Sequence, residues 1–256
     1  MKNKRLYFDI ETSPNVVYSW RVGRRINLDY NNIVKERAII CICYKWEDKD
    51  EVHSLKWDNG CDKKMLKKFV KVADKATEIV GHNSDRFDIK WVRGRLLYHR
   101  IPDIVNFTSI DTLKDARSRF LLNSNRLDYI GQYLGVGEKM ETGGFQLWVD
   151  VMEGDDDALQ RMIDYCKQDV LLLEKVYKEI EDYTKVKSHL GVLNGGGKWS
   201  CPRCSSNNVK CNKTRTTRTG IIRREMLCHD CKRNYTISNK SYMDFIQWKL
   251  RNGQRI

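Results

Sequence analysis

Near its start the chain sets short apolar runs between polar connections, in a pattern that predicts strands. Arg5-Leu6-Tyr7-Phe8-Asp9-Ile10-Glu11 reads as one strand, Ala38 to Trp46, with its Ile-Ile-Cys-Ile-Cys-Tyr run, as a second and more buried one, and Glu51 to Trp57 as a third. A polar loop or short-helix region that includes Asn31-Asn32 separates the first two. The period then changes. Leu66, Phe69, Val70 and Ala73 fall at helical spacing within Cys61 to Ala76, Glu78-Ile79-Val80-Gly81 reads as a short buried strand, and a helix is predicted from about Asp85 to Tyr98.

Asn106 to Ile110 predicts a fifth strand, with Asp111 placed to cap a helix running into Ser118. Leu127 to Leu134 reads as a short helix ended near Gly135, and Gly143-Gly144 as a loop. From Asp156 to Lys185 the apolar positions Leu159, Met162, Ile163, Val170, Leu173, Val176, Tyr177 and Ile180 fit one long amphipathic helix, with room for a break near its middle. The acidic run Asp155-Asp156-Asp157 at its start is read as capping. Asn194-Gly195-Gly196-Gly197 reads as a linker dividing a main domain, 1–190, from a small one, 194–256.

The 256 residues, 41% hydrophobic and 10% aromatic, suffice for one full core and a satellite. No apolar run approaches the roughly 20 residues of a membrane span. Met1-Lys2-Asn3-Lys4-Arg5 leads straight into a strand instead of a signal peptide's apolar stretch, so a soluble, cytoplasmic protein is expected, in the host cytoplasm if the chain is phage-encoded. The net charge of +13 is uneven: Asn194 to the end carries 14 Lys and Arg against 3 Asp and Glu, or +11, and the remainder 33 against 31, or +2. So basic a segment points to a polyanion as partner. Of nine cysteines, four form two C-x-x-C pairs, which fits reduced, metal-binding thiols better than disulfides.

Asp9 and Glu11, two apart in a strand, project from one face of its sheet. Their apolar neighbours suggest a central strand, where carboxylates are costly unless something positive holds them. Gly81-His82-Asn83-Ser84-Asp85-Arg86-Phe87-Asp88 marks a strand-to-helix junction, and Tyr165 and Asp169, four apart, share a face of the long helix. In these three ordered motifs, and in the wording Phe8-Asp9-Ile10-Glu11-Thr12, residues 5 to about 182 resemble the DnaQ-like, or DEDD, 3′-to-5′ exonuclease superfamily, in its tyrosine branch. The sister branch has histidine five positions before the last aspartate, where this chain has Asp164.

The resemblance implies a ribonuclease-H-like α/β fold, a mixed five-stranded sheet with flanking helices, and assigns Asp9, Glu11, Asp88 and Asp169 as ligands of two Mg²⁺ or Mn²⁺ ions. It makes Tyr165 the residue that orients the attacking water. Two hard cations about 4 Å apart do call for several carboxylates, one of them bridging, and Asp9 is the candidate bridge. A tyrosine with its pKa near the usual value of about 10 suits positioning better than proton removal. Thr12 stands where family members contact the terminal nucleotide. Asn83 either contacts substrate or satisfies its loop, His82 has no evident partner, and Phe87 and Trp91 read as core. Cys41, Cys43, Cys61 and Cys166 read as small apolar or surface side chains.

Cys201-Pro202-Arg203-Cys204 and Cys228-His229-Asp230-Cys231 resemble a zinc ribbon, in which each knuckle gives two thiolates to one tetrahedral Zn²⁺. Cys211 and His229 remain substitute candidates. Metal binding would supply most of so small a domain's stability. Between the knuckles, Lys213, Arg215, Arg218, Arg223 and Arg224 surround a Thr-rich turn, as phosphate contacts would require, and Tyr242 to Leu250 predicts a closing helix.

Together these features predict an exonuclease acting on nucleic acid, DNA favoured over RNA, that serves a polymerase or recombination partner. A catalytically silent binding adaptor, or a ribonuclease or endonuclease on the same fold, are the alternatives.

Overall fold

The computed structural model describes residues 4–23, 25–104 and 107–253. It divides into two compact units, Lys4–Glu181 and Asp182 onward. The first is built on a five-stranded sheet of β1 (Arg5–Thr12), β4 (Ile39–Trp46), β5 (Val52–Lys56), β6 (Glu78–Gly81) and β7 (Thr108–Asp111), in the order β5-β4-β1-β6-β7. β1 pairs antiparallel with β4 and parallel with β6, so the sheet is mixed and β1 is central. Two short strands, β2 (Val16–Val17) and β3 (Ile33–Lys35), form a separate hairpin between β1 and β4.

Alternation along β1 assigns its faces. Leu6, Phe8 and Ile10 join a core with Met65, Leu66 and Phe69 of α1 (Lys63–Ala73) and Val92 and Leu96 of α2 (Asp88–Tyr98). Tyr7 and, from β4, Cys41 and Cys43 face the other core, built on α6 (Asp156–Ile180). The buried ion pair of Lys45 with Glu174, at 2.8 Å, fixes α6 across that face. The helix is unbroken and is followed by a 3₁₀ turn at Glu181–Tyr183, so it stops short of Lys185.

α3 (Thr112–Arg119) begins at Asp111 as predicted, and α4 (Leu127–Leu134) ends on left-handed Gly135, φ 67°. α5 (Gln146–Glu153) follows Gly143-Gly144 and was not foreseen. Asp155 caps α6 through the N–H groups of Asp157 and Ala158. Of the predicted fifth strand, Asn106 lies outside the described residues, and pairing runs from Thr108.

The second unit holds α7 (Leu190–Leu193), a three-stranded sheet ordered β10-β9-β8, and α8 (Asn239–Arg251). Its strands are β8 (Val209–Thr216), β9 (Ile222–Cys228) and β10 (Asn234–Ser238). The glycine run is a bonded turn and not a spacer: Gly195 N–H donates to Val192 O at 2.9 Å and Gly196 N–H to Gly191 O at 2.7 Å. Met226, Val209, Ile237 and Phe245 form a small core with Trp199 and Trp248 against it. No helix among the described residues is long and apolar enough to cross a membrane.

Candidate active site and metal centres

Asp9 and Glu11 continue the row begun by Tyr7, on the face of β1 that α6 covers. β1's pairing with β6 stops at Tyr7–Val80, so its last residues border a gap between two parallel strands. Across the sheet face, Asp169 belongs to the buried stripe of α6, one turn beyond Tyr165. One carboxylate oxygen from each of Asp9, Glu11 and Asp169 lies within 4.8 Å of the others.

Asp88 arrives from a different direction. It is the first residue of α2 and buried; burial raises its pKa, while the nearby backbone N–H groups of Asp88 itself and Ile10 oppose that shift. The helix starts three residues later than predicted because Ser84 to Phe87 form a turn closed on Asn83 O. Asp85, the other acid of this motif, is taken by the Ser109 hydroxyl and by Lys114, at 2.6 Å. Asp88 stands outside the group of three, yet its charge is felt by Asp9.

Asp111 organises this junction. It is fully buried and accepts N–H bonds from Asn83 at 3.0 Å, Asp85 at 3.2 Å, Leu113 at 3.0 Å and Lys114 at 3.3 Å. It therefore caps α3 and also holds the loop that delivers Asp88. Asn83 sits at φ 65° with its backbone bound to Asp111. Gly81 is required just before it, since a Cβ there would stand 2.4 Å from Ser84 Cβ. His82 does have partners, Thr112 Oγ1 at 2.8 Å and the Asn125 carbonyl at 3.0 Å. Burial pushes its pKa down to about 4, so it is a neutral structural link.

Electrostatically the site crowds four buried or half-buried carboxylates together, which disfavours their ionised forms. Burial, then neighbouring acids, hold Asp9 and Glu11 well above the usual carboxylate range, burial raises Asp169, and burial brings Asp88 to about 7. Asp169 Oδ1 is buried and has no hydrogen-bond partner among the described residues. Such a set needs compensating cations.

One compensating charge comes from a residue the sequence reading missed. Lys139, in the loop between α4 and α5, donates to Asp169 and, at 3.1 Å, to the Tyr165 hydroxyl. Asp128 of α4 accepts the Lys139 backbone N–H at 2.9 Å and so fixes the loop. A lysine in a glycine-bearing loop has no periodicity to announce it. Tyr165 departs from the ordinary value assumed above: burial, then the charge of Asp169, push its pKa up to about 12. The hydroxyl stays protonated and can orient a ligand, but it is a poor base.

Behind Asp9 lie three buried sulfurs, Cys41, Cys43 and Cys166, the last 3.5 Å from the Asp9 carbonyl; Cys61 is exposed. Phe87 and Trp91 pack beside the α1/α2 core. Thr12 is half-buried at the end of β1. Asn83 and Lys139 line an open cleft of about 980 Å³ with Arg117, Asn125, Arg126 and Gln132.

Residues 6–181 match the family profile of the RNase H superfamily. The chain belongs to the RNase H superfamily. Among solved structures, this RNase H superfamily chain is similar to the family B DNA polymerase from the hyperthermophilic archaeon Pyrobaculum calidifontis, with 17% identity and a TM-score of 0.54. The likeness covers 71% of this chain and 25% of the polymerase, so the chain spans about a quarter of that protein, and it shows the fold alone. No curated protein matches.

The second unit of this superfamily member carries its own cluster. Sγ atoms of Cys201, Cys204, Cys228 and Cys231 lie within 4.8 Å of one another, with Cys201···Cys231 at 3.5 Å and Cys204···Cys228 at 3.6 Å. Four thiolates around Zn²⁺, with Zn–S near 2.3 Å, would stand about 3.8 Å apart, so the set fits one tetrahedral ion. The knuckles repeat each other: Cys201 N–H donates to Ser206 O and Cys228 N–H to Arg233 O, and the residue after each, Ser205 and Lys232, is left-handed. Neither Cys211, half-buried on β8, nor exposed His229 belongs to this group.

Lys213, Arg215, Arg218 and Arg223 are exposed on the β8–β9 hairpin, where Arg215 faces Arg223 across the strands and pairs with Glu225. Arg224 points the other way, donates to Asn239 at 2.9 Å and Thr214 at 2.6 Å, and stacks on Tyr242. The fold itself occupies its guanidinium.

Proposed function

We propose that the chain is a DnaQ-like nuclease of the tyrosine branch that removes nucleotides from 3′ ends, DNA before RNA, by a two-metal mechanism. The observation that carries this reading is the convergence of Asp9, Glu11 and Asp169 within 4.8 Å, beside Tyr165. The donors are all hard oxygens and one buried oxygen lacks a partner, a set that suits Mg²⁺ or Mn²⁺.

Asp9, Glu11, Asp88 and Asp169 would hold the ions, with Asp9 as the bridge. When bound, the ions supply activation of a water and stabilisation of the leaving oxygen. Tyr165, protonated across the physiological range, accepts or donates one hydrogen bond to set the line of attack. Lys139 favours the ionised form of Asp169 against the effect of burial and holds Tyr165, and its charge faces a phosphate arriving in the cleft. Asn83, which lines the cleft, and Thr12, at the end of β1, contact the terminal nucleotide.

In the second unit, one Zn²⁺ held by Cys201, Cys204, Cys228 and Cys231 staples the sheet, and Lys213, Arg215, Arg218 and Arg223 meet phosphates without reading bases. Arg224 instead braces the hairpin on α8. A polymerase or recombination complex is the setting in which such an activity is useful, and the cytoplasm its place.

Digestion of an oligonucleotide with a blocked 3′ end tests the direction of attack. An exonuclease working from that end leaves the blocked strand intact and shortens its free counterpart, whereas internal cutting of both would show an endonuclease.

A further inference from the structure

A hairpin arm leaves the main unit at the very end of β1. It is rooted by Ser13 N–H to Ala38 O at 2.9 Å and Ala38 N–H to Ser13 Oγ at 2.9 Å, directly after Glu11 and Thr12. The β2–β3 ladder, the Tyr18 N–H to Asn32 O bond at 3.0 Å and a capping box at Asp29 keep it ordered.

What the arm presents is unusual for a free surface. Trp20 and Val22 are fully solvent-exposed, and Tyr18 and Tyr30 are 76% and 79% exposed. Large aromatic side chains left in water usually mark a binding surface. Between Ser13 and Ala38 the sequence sets Arg21, Arg24, Arg25, Lys35 and Arg37 against Asp29 and Glu36. The basic residues at the base are engaged, Arg37 over Trp91 at 5.1 Å and Lys35 over Trp57 at 5.9 Å. Arg21 and Arg25 make no ion pair among the described residues.

We infer that this arm is a binding platform for single-stranded nucleic acid, with unpaired bases stacking on Trp20 and the flanking tyrosines while Arg21 and Arg25 meet the backbone. Interleaved aromatic and arginine side chains are the chemistry that binds a strand without reading its sequence. A single strand offers free base faces along its length, whereas an intact duplex offers them only at its ends, so the arm's chemistry favours the single strand. The arm is rooted at Ser13, directly after Glu11 and Thr12 in the chain, and the inference rests on the proposed nuclease reading for its purpose, though not for its test.

The experiment is fluorescence anisotropy of labelled oligothymidylate with the full chain and no added divalent ion, so that binding is read without cleavage. Base stacking is worth about 1–3 kcal/mol per base, so Trp20→Ala should weaken binding about 5- to 150-fold. Trp20→Phe, which can still stack, should recover most of it, and Leu97→Ala, an exposed apolar residue on α2, should bind as wild type. Equal affinity of wild type and Trp20→Ala would overturn the inference. So would sedimentation showing that wild type self-associates through the arm and that Trp20→Ala only abolishes self-association. Tight, Trp20-dependent binding by a chain that hydrolyses nothing would uphold the platform and remove the nuclease reading.

Discussion

The Lys139 ammonium joins the Tyr165 hydroxyl, at 3.1 Å, to the carboxylate of Asp169, one helical turn further along α6. A single loop lysine thus touches both side chains of the third motif and stands against four buried or half-buried acids. Lys139→Ala removes the nearest positive charge from Asp169, whose pKa burial already raises. The expected outcome is a turnover loss of about 10- to 100-fold, in the range for a residue that supports a metal-ligating side chain. The acid limb of the pH–rate profile should also move to higher pH, because Asp169 then needs a higher pH to ionise. Steady-state rates across pH for both proteins check it.

Tyr165→Phe tests the hydroxyl alone. The ring, its packing and the cation–π contact with Lys139, at 5.2 Å, survive, so the melting temperature should stay within a few degrees of wild type. The rate should fall about 10- to 100-fold with little change in KM, since in the proposed mechanism the lost bond positions the attacking water and not the substrate.

The raised carboxylate pKa values make a stability prediction of definite sign. A group whose folded pKa lies above its unfolded value stabilises fully below the unfolded pKa, and that contribution is lost as pH rises through the folded one. For Asp88 the window runs from the ordinary 3.8 to about 7. Without added Mg²⁺ or Mn²⁺, Asp88→Asn should therefore melt higher than wild type at pH 8, with the gap closing toward pH 4. Adding Mg²⁺ at pH 8 should stabilise wild type more than the variant. Differential scanning calorimetry across pH reads both effects.

Cys228→Ser should lower zinc content from one ion per chain to none and expose the small core in which Trp199 and Trp248 pack. Metal analysis and tryptophan fluorescence report the two. Retention of zinc by the variant would show that Cys211 or His229 can serve as a ligand after all.

Several parts of this site were legible because local chemistry repeats at the period of the element. Asp9 and Glu11 obey the two-residue alternation of β1, and Asp169 falls on the apolar stripe of α6, where a carboxylate is conspicuous. The four cysteines stand out by spacing alone. Lys139 did not, because it acts through a loop whose position depends on Asp128, a contact between residues 11 apart with no shared period. α5 was hidden behind Gly143-Gly144, whose loop signal outweighed the apolar positions Leu147 and Val151 that follow. The arm's strands are two and three residues long, too short to register as alternation, so the segment reads as a polar loop or short helix, of which the 3₁₀ turn Tyr30–Asn32 is the helical part. The inward turn of Arg224 depends on β8–β9 register, which a bulge between Cys211 and Lys213 sets.

The most direct measurement of the central claim is digestion of 5′-labelled single-stranded DNA and RNA of one sequence, with Mg²⁺ or Mn²⁺, by wild type and by Asp9→Ala. The expected result is a ladder shortening from the 3′ end, faster on DNA, and lost with Asp9→Ala although the variant still folds and binds the strand. Intact substrates with wild type, or an equal ladder with Asp9→Ala, would contradict catalysis by these carboxylates.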